Sequence, residues 1–357
     1  MPDASKLAIA ALRARRTDVF LAILAKAPQI AAKAGVVVDA ARVHDVVALR
    51  ALVKSGADPN ACIRNYRPLH AAIQETPHHD GPTGAKEKLA CVAVLLDLGA
   101  DPLQRGAWPA MPALQVACAS GERAIVDLLI ERETPVDCFA AAALGRLPAV
   151  RSALAKDPSL ARAKDASSLT ALHYACVSRL HRDAKTGRAL REIAALLLDA
   201  GADPNALARS WSHDVDPGSF AISAKHFELA ELLLERGADA TAILPAALWN
   251  TGDEFTRFAE LCIAHGANVD RSSHEGKPLL NQLVRWGQVK PALWLLERGA
   301  NPNLVDDRGW TAVHQAASRG NARMLAAAVK AGGDVDKKAK DGTTPRALAK
   351  TKRLAIE

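Results

Sequence analysis

A short glycine-containing segment recurs along this 357-residue chain and restricts its fold more than any other feature. In each copy an apolar run ends at Gly-Ala or Gly-Gly, and Asp or Asn follows. Three consecutive copies, at Gly266, Gly299 and Gly332, are 33 residues apart. A glycine directly after a helical run supplies the left-handed residue that ends a helix, and the proline that often comes next cannot continue one. The sequence therefore predicts a series of short helical units rather than one large core.

A second motif lies upstream of several of these glycines. It reads Arg67-Pro-Leu-His-Ala-Ala, Thr170-Ala-Leu-His-Tyr-Ala and Thr311-Ala-Val-His-Gln-Ala. In register with the glycines, these segments resemble the ankyrin repeat, whose unit of about 33 residues carries a T-P-L-H-x-A signature. The resemblance covers nearly the whole chain. It implies an all-α solenoid of stacked helix-turn-helix units with short β-hairpin or loop fingers.

The resemblance also assigns structural roles to the residues of the two motifs. Thr170 and Thr311 are expected to cap the first helix of their units through the side-chain hydroxyl. The signature histidines are expected to tie neighbouring loops together by hydrogen bonds. This structural signature comprises His70, His173, His314, Gly56, Gly99, Gly201, Gly237, Gly266 and Gly299.

The spacing of the motifs predicts a single repeat array over residues 1–357. We expect a capping helix pair in 1–36, about nine repeats in 37–336 and a capping helix in 337–357. The repeats form three blocks, 37–138, 139–240 and 241–336, because the same features recur about a hundred residues apart. The first two blocks each contain about ten additional residues between paired helices, at 76–85 and 179–188, which we interpret as inserted loops.

Charge and cysteine content restrict the partners and the compartment. The net charge of +7 favours an acidic partner protein. Nucleic acid is not expected, because no aromatic residues interleave with the basic cluster around Lys338 and Lys352. The six cysteines form no CxxC pair, which indicates reduced thiols in the cytoplasm. No uncharged apolar run of about 18 residues is present, so no membrane span is expected. We also expect the protein to be a monomer.

The chain lacks several common catalytic motifs. It has no P-loop, no G-x-S-x-G and no HExxH, so we expect neither an enzyme nor a bound cofactor. The densest group of ligand-type side chains is His78, His79 and Asp80. These could hold a metal ion, but a solvated loop explains them better, and no metal site is expected.

Function is inferred from the resemblance, because partners of ankyrin arrays usually dock on the concave face and the finger loops. We expect a bacterial adaptor or scaffold that binds another protein in this way. The alternatives are a dedicated inhibitor or immunity protein that blocks an enzyme, and an effector directed at a host cell. Large side chains at the expected finger tips are the candidate binding residues, since Trp, Tyr and Arg dominate interface energetics. They are Arg64, Asn65, Tyr66, Arg105, Trp108, Tyr174, Arg209, Trp211, His274, Asp307 and Arg308.

Overall fold

The computed structural model describes residues 3–74, 84–210, 213–250, 252–271 and 277–355. The chain divides into two compact units, Met1–Val215 and Asp216–Glu357. Helices dominate both units, as the repeat pattern predicts.

The first unit consists of consecutive helix pairs, followed by two short antiparallel strands. Its helices are α1 (Ala4–Arg13), α2 (Thr17–Lys26), α3 (Ala34–Arg42), α4 (Val46–Lys54), α5 (Pro68–Ile73), α6 (Ala85–Asp97), α7 (Ala113–Ser120), α8 (Arg123–Glu131), α9 (Cys138–Ala143), α10 (Leu147–Lys156), α11 (Ala171–Val177) and α12 (Ala184–Asp199). Short 3-10 turns are Pro28–Ala32, Pro158–Ala161 and Arg179–Arg182. Strands β1 (Ala208–Ser210) and β2 (His213–Val215) pair with Arg209 opposite Asp214.

The second unit repeats the same helix-pair arrangement. Its helices are α13 (Pro217–Ser223), α14 (Phe227–Glu235), α15 (Ala240–Asn250), α16 (Phe255–Ala264), α17 (Leu279–Arg285), α18 (Val289–Glu297), α19 (Ala312–Arg319), α20 (Ala322–Lys330) and α21 (Pro345–Thr351). A 3-10 turn, Gly252–Glu254, precedes α16.

Each unit has two layers of helices, and the core lies between them. In the first unit the first helices α3, α5, α7, α9 and α11 pack in series, and the second helices α4, α6 and α8 pack beside them. Helix α7 is buried at every residue from Ala113 to Cys118, because helices cover it on several sides. Helix α8 buries only Ile125, Val126 and Leu129 and exposes its other face. Full burial of one such leucine contributes roughly 1.5–3 kcal/mol.

The helix ends follow the sequence motifs. The signature glycines at positions 56, 99, 201, 237, 266 and 299 all have φ between 82° and 91°, the left-handed region that residues with a Cβ avoid. At the start of α11, the Thr170 hydroxyl accepts a hydrogen bond from His173 N at 3.4 Å, and His173 Nδ1 accepts one from Thr170 N at 3.1 Å. Thr311 and His314 form the same reciprocal cap on α19. The predicted threonine caps are confirmed.

The interpretation of 179–188 as an inserted loop is wrong. The segment forms the 3-10 turn Arg179–Arg182 and then the first turn of α12, which has 16 residues. The Asp183 carboxylate caps α12 by accepting from Thr186 N at 2.8 Å. Gly187 allows the close packing, since a Cβ there would lie 2.9 Å from His181 O. Most of the other interpreted loop, 76–85, lies outside the described residues.

Candidate functional site

The loop before α5 forms a tight finger with Arg64 at its tip. Ile63 and Tyr66 exchange two backbone hydrogen bonds of 2.9 Å, and Arg64 and Asn65 between them have φ of 48° and 66°. A two-residue hairpin loop with both central residues in the left-handed region follows the right-handed twist of its strands, and Asn adopts this region readily. Arg64 is exposed, whereas Asn65 and Tyr66 are half-buried.

The next finger, Arg105–Met111, is bonded directly to the first. Ala107 N donates to Asn65 O at 2.8 Å, and Asn65 Nδ2 donates to Ala107 O at 2.5 Å. Arg67 Nε adds a third link to Arg105 O at 2.9 Å. These bonds hold Trp108, which is 37% exposed, close to the tip of the first finger. We call the pair of loops Ile63–Tyr66 and Arg105–Met111 the finger surface.

A buried polar network fixes the finger surface to the following loop. Asp165, whose side chain is 4% exposed, receives hydrogen bonds from Arg105 at 2.9 Å and from the Tyr174 hydroxyl at 2.5 Å. Ser167 Oγ donates to Ala110 O at 2.6 Å. Arg105 therefore acts mainly as an internal brace, although its side chain remains 29% exposed.

Tyr174 does not face a partner, and the sequence-based assignment of this residue to the binding surface is wrong. The residue is 1% exposed, and its ring lies 5.9 Å from the ring of Phe139. Burial and the hydrogen bond to Asp165 raise the pKa of the Tyr174 hydroxyl above its usual range. The Tyr174 hydroxyl donates to the Asp165 carboxylate, and the residues after the other two signature histidines, Ala71 and Gln315, are buried as well.

The signature histidines are buried and link successive loops. His70 Nε2 lies 2.8 Å from Met111 O, and His314 Nε2 lies 3.2 Å from Thr343 O. In His314, Nδ1 accepts from Thr311 N, so Nε2 carries the proton and donates to the carbonyl. Burial lowers the pKa of His70 and of His173 to about 4, so both rings are neutral at pH 7.

In the second unit, the loop Asp306–Trp310 forms a finger in which Asp306 N donates to Trp310 O at 2.9 Å. The buried Asp306 carboxylate accepts from Arg308 N and from Trp310 N, each at 2.9 Å. Burial by itself would raise the pKa of Asp306, but the hydrogen bonds from Trp310 and Arg308 lower it overall. Asp307 and Arg308 are exposed, and the Arg308 guanidinium lies 4.4 Å from the centre of the Trp310 ring.

The other candidates have less structural context. Arg209 is exposed on β1 and its guanidinium lies 3.3 Å from the Asp214 carboxylate. Trp211 and His274 lie outside the described residues, as do the metal candidates His78, His79 and Asp80.

Within the described ranges, no group of three or more His, Cys, Asp or Glu side chains could hold a metal ion. No described helix is both long and apolar enough to cross a membrane.

Sequence reasoning missed Asp165 and Asp306, the carboxylates that organise the fingers. Each lies five residues before the capping threonine of its unit, Thr170 or Thr311. Each accepts backbone N–H groups of its own loop, as Asp165 does from Ser167 and Leu169. The five-residue spacing between the aspartate and the capping threonine is the sequence signal that identifies these carboxylates.

Comparisons with known proteins agree with the geometry. The sequence profile described as "Ankyrin repeats (many copies)" matches residues 138–184 and 286–329, and that described as "Ankyrin repeat" matches 168–209. An ankyrin repeat-containing protein of Schizosaccharomyces pombe, P1E11.10, is 37% identical over 59 residues, which are 16% of this chain and 28% of that protein.

Two further similarities are longer but more distant. A putative palmitoyltransferase of Danio rerio, ZDHHC13, is 29% identical over 168 residues, 43% of this chain and 25% of that protein. The chain thus spans only 25–28% of the length of these two relatives. The crystal structure of the ankyrin repeat domain of Bcl-3 superposes with a TM-score of 0.48 at 24% identity, over 60% of this chain and 97% of that domain.

Proposed function

Because this chain is an ankyrin-repeat protein with an all-α solenoid fold, we propose that it is a protein-interaction module, an adaptor or scaffold that binds a partner protein through its finger loops. Ankyrin repeats generally bind other proteins. The finer assignment, to a scaffold that uses the finger surface of the first unit, rests on the geometry of that surface.

The observation that carries the proposal is that large side chains are presented on braced loops. Ile63 is 41% exposed, Trp108 is 37% exposed, and Arg64 is exposed at the left-handed turn between Ile63 and Tyr66. Aromatic residues and arginine at the centre of an interface contribute most of its binding energy. An apolar residue, an indole ring and a guanidinium on two loops that are hydrogen-bonded to each other therefore suit a protein partner.

The bracing favours tight binding, because loops that are already ordered lose little entropy on association. Asn65 bonds both the N–H and the carbonyl of Ala107, and Arg105 connects the second finger to Asp165. The finger surface therefore offers a preformed epitope rather than a mobile loop.

The proposed setting is the cytoplasm, where the protein acts as a monomer. Cys91, Cys118 and Cys262 are buried thiols outside any disulfide, which suits a reducing compartment. The positive net charge favours a partner with an acidic surface.

The test compares capture of partners by the wild-type chain and by two tryptophan variants. Trp108→Ala removes the indole from the finger surface, while Trp286→Ala removes a 65% exposed indole from the end of α17. We expect Trp108→Ala to weaken binding of the captured partner at least tenfold, as truncation of a central aromatic residue does, and Trp286→Ala to leave it unchanged. Both variants should retain the wild-type circular dichroism.

Equal loss in both variants, or loss in Trp286→Ala alone, would overturn the assignment to the finger surface. Retention of every partner by Trp108→Ala combined with Arg64→Glu would do the same.

A further inference from the structure

The segment between α11 and α12 builds one wall of a cleft in the first unit. The other walls are α8 and the turn between α9 and α10, and the cleft has a volume of about 820 Å³. Volumes of this order accommodate ligands or several side chains of a partner. No residue of the finger surface lines this cleft.

The cleft is a built feature rather than a gap between loose turns. Gly121, with φ of 75°, lets the chain approach so closely that a Cβ there would lie 3.2 Å from Arg179 Cβ. Gly145, with φ of 71°, similarly accommodates Thr186, whose Cγ2 would lie 3.0 Å from an added Cβ. The segment thus packs onto the turns of the two preceding helix pairs, and its position is fixed.

The floor of the cleft is apolar. Val126 of α8 is 1% exposed, Leu180 of the 3-10 turn is 5% exposed and Leu144 is 9% exposed. None of the residues that line the cleft is aromatic. A site that stacks nucleic acid bases needs aromatic platforms, so the lining suits aliphatic side chains better.

The rim of the cleft is predominantly basic. Five cationic residues line it, Arg123, Arg146, Arg179, Arg182 and Lys185, against three carboxylates, Asp127, Glu131 and Asp183. All five cationic residues are exposed.

Two of the three carboxylates are already engaged within the protein. Arg123 pairs with Asp127 at 3.1 Å. Asp183 accepts from Thr186 N and Oγ1 at 2.8 Å and 2.7 Å, and these bonds lower its pKa, so it stays ionised. Among the residues that the structure describes, none forms a hydrogen bond or ion pair with the side chain of Arg146, Arg182 or Lys185. Arg146, Arg182 and Lys185 therefore have N–H donors available to an external anion, and Lys185 also interacts electrostatically with Asp183.

We propose that this cleft binds an acidic segment of a partner protein, in which carboxylates contact Arg146, Arg182 and Lys185 and an aliphatic side chain enters the apolar floor. Opposite charges steer such a segment to the rim, and the floor rewards burial of its apolar residue. The open, basic-rimmed shape favours an extended peptide over a small anion.

This surface is separate from the finger surface. A first helix begins at a finger and ends at the turn that leads to its second helix, so the cleft lies roughly 12 Å away, the length of α7, at the other end of the helix pairs. One chain could therefore engage partner protein at both ends of its helices.

The experiment measures binding of a fluorescein-labelled twelve-residue peptide of alternating Glu-Glu and Leu-Leu pairs to the full chain by fluorescence anisotropy. The reference peptide has Gln in place of each Glu. The test variant is Arg182→Glu with Lys185→Glu. The matched control, Arg50→Glu with Lys54→Glu, makes the same charge change on exposed residues of α4, outside the cleft.

We expect the Glu peptide to bind at least tenfold more tightly than the Gln peptide, and more weakly as salt is raised. The cleft variant should lose at least tenfold in affinity, while the α4 variant should stay within twofold of wild type. The Trp108→Ala variant should bind this peptide with wild-type affinity. The proposal for the cleft and the proposal for the finger surface can therefore be refuted independently.

If the cleft variant and the α4 variant lose affinity equally, binding depends on the overall charge of the chain and not on the cleft, and the proposal is overturned. Equal binding of the Glu and Gln peptides would also overturn it. A competition with inorganic triphosphate tests for a phosphate site. If triphosphate displaces the labelled peptide at a lower concentration than unlabelled peptide does, the cleft is a phosphate site and the proposal is overturned. Circular dichroism of each variant checks that the exposed substitutions leave the fold intact.

Discussion

The buried hydroxyl of Tyr174 provides a sharp test of how the fingers are held. Its hydrogen bond to Asp165 is 2.5 Å long, and Asp165 also accepts from Arg105 and from two backbone N–H groups. The substitution Tyr174→Phe removes one charge-assisted bond and leaves the ring in place. Hydrogen bonds to charged groups contribute about 1.5–3 kcal/mol.

We therefore expect Tyr174→Phe to lower the free energy of unfolding by about 2 kcal/mol, close to a thirtyfold change in the folding equilibrium. The loss should not reach the ~3–5 kcal/mol of a broken buried ion pair, because Arg105 still neutralises the carboxylate. Asp165→Ala should lower the free energy of unfolding by ~3–5 kcal/mol, because it leaves both Arg105 and the Tyr174 hydroxyl without their carboxylate partner.

The assay is urea unfolding followed by circular dichroism and tryptophan fluorescence. The chain offers a matched control, because Tyr66 is the only other tyrosine and is half-buried. Tyr66→Phe should change the unfolding free energy by less than about 0.5 kcal/mol.

A pH titration of the Tyr66→Phe variant isolates Tyr174. Because burial and Asp165 raise its pKa, absorbance of tyrosinate at 295 nm should not rise near pH 10, the usual range, while the protein is folded. A group with a raised folded pKa stabilises the fold below its unfolded pKa, and this contribution is lost as pH rises above about 10. Equal costs for the two Tyr→Phe changes, or ionisation of Tyr174 near pH 10 in the folded protein, would refute the network.

The remaining predictions concern the scaffold. Burial lowers the pKa of His70 from 6.5 to about 4, so its contribution to stability should be present above pH 6.5 and fall as pH drops towards 4; urea midpoints measured across this range should decrease, and less so in His70→Gln. Cys62 is exposed and should react rapidly with a thiol reagent, whereas Cys118, whose pKa burial raises to about 12, should react only after unfolding, as absorbance kinetics with and without urea would show. Gly106→Ala should destabilise the protein by at least about 1 kcal/mol in thermal unfolding, because the new Cβ would lie 2.8 Å from the His70 ring; Gly35→Ala, in a helix and 3.5 Å from its nearest neighbour, should stabilise it by about 0.5 kcal/mol.

The periodic part of the fold could be predicted from the sequence because each unit repeats the same local chemistry. Glycine at a helix end and threonine before a helix act through their own backbone neighbourhoods, so their roles follow from the local sequence. Gly99 and Thr170 adopt the expected conformations for this reason.

The candidate site was predicted less well, because its geometry depends on contacts between loops. Tyr174 is held inward by packing and by its hydrogen bond to Asp165, which lies in the loop before α11. Arginine is a residue type that is common at binding hot spots, but Arg105 mainly stabilises the fold. Its hydrogen-bond partners, Asp165 and Ser167, lie in a loop about sixty residues later, which the local sequence does not reveal. The segment 179–188 became a 3-10 turn and helix because Asp183 caps α12 and Gly187 permits close packing.

Photo-crosslinking in the protein's own cells tests the central claim most directly, since it reports which surface touches a partner protein. Benzoylphenylalanine is placed at Arg64, at the tip of the finger surface, and separately at Arg50, an exposed position on α4. Irradiation should yield a defined covalent adduct with a partner protein from position 64 and none from position 50. Adducts from position 50 with none from position 64 would contradict the account, because contact would then occur away from the fingers.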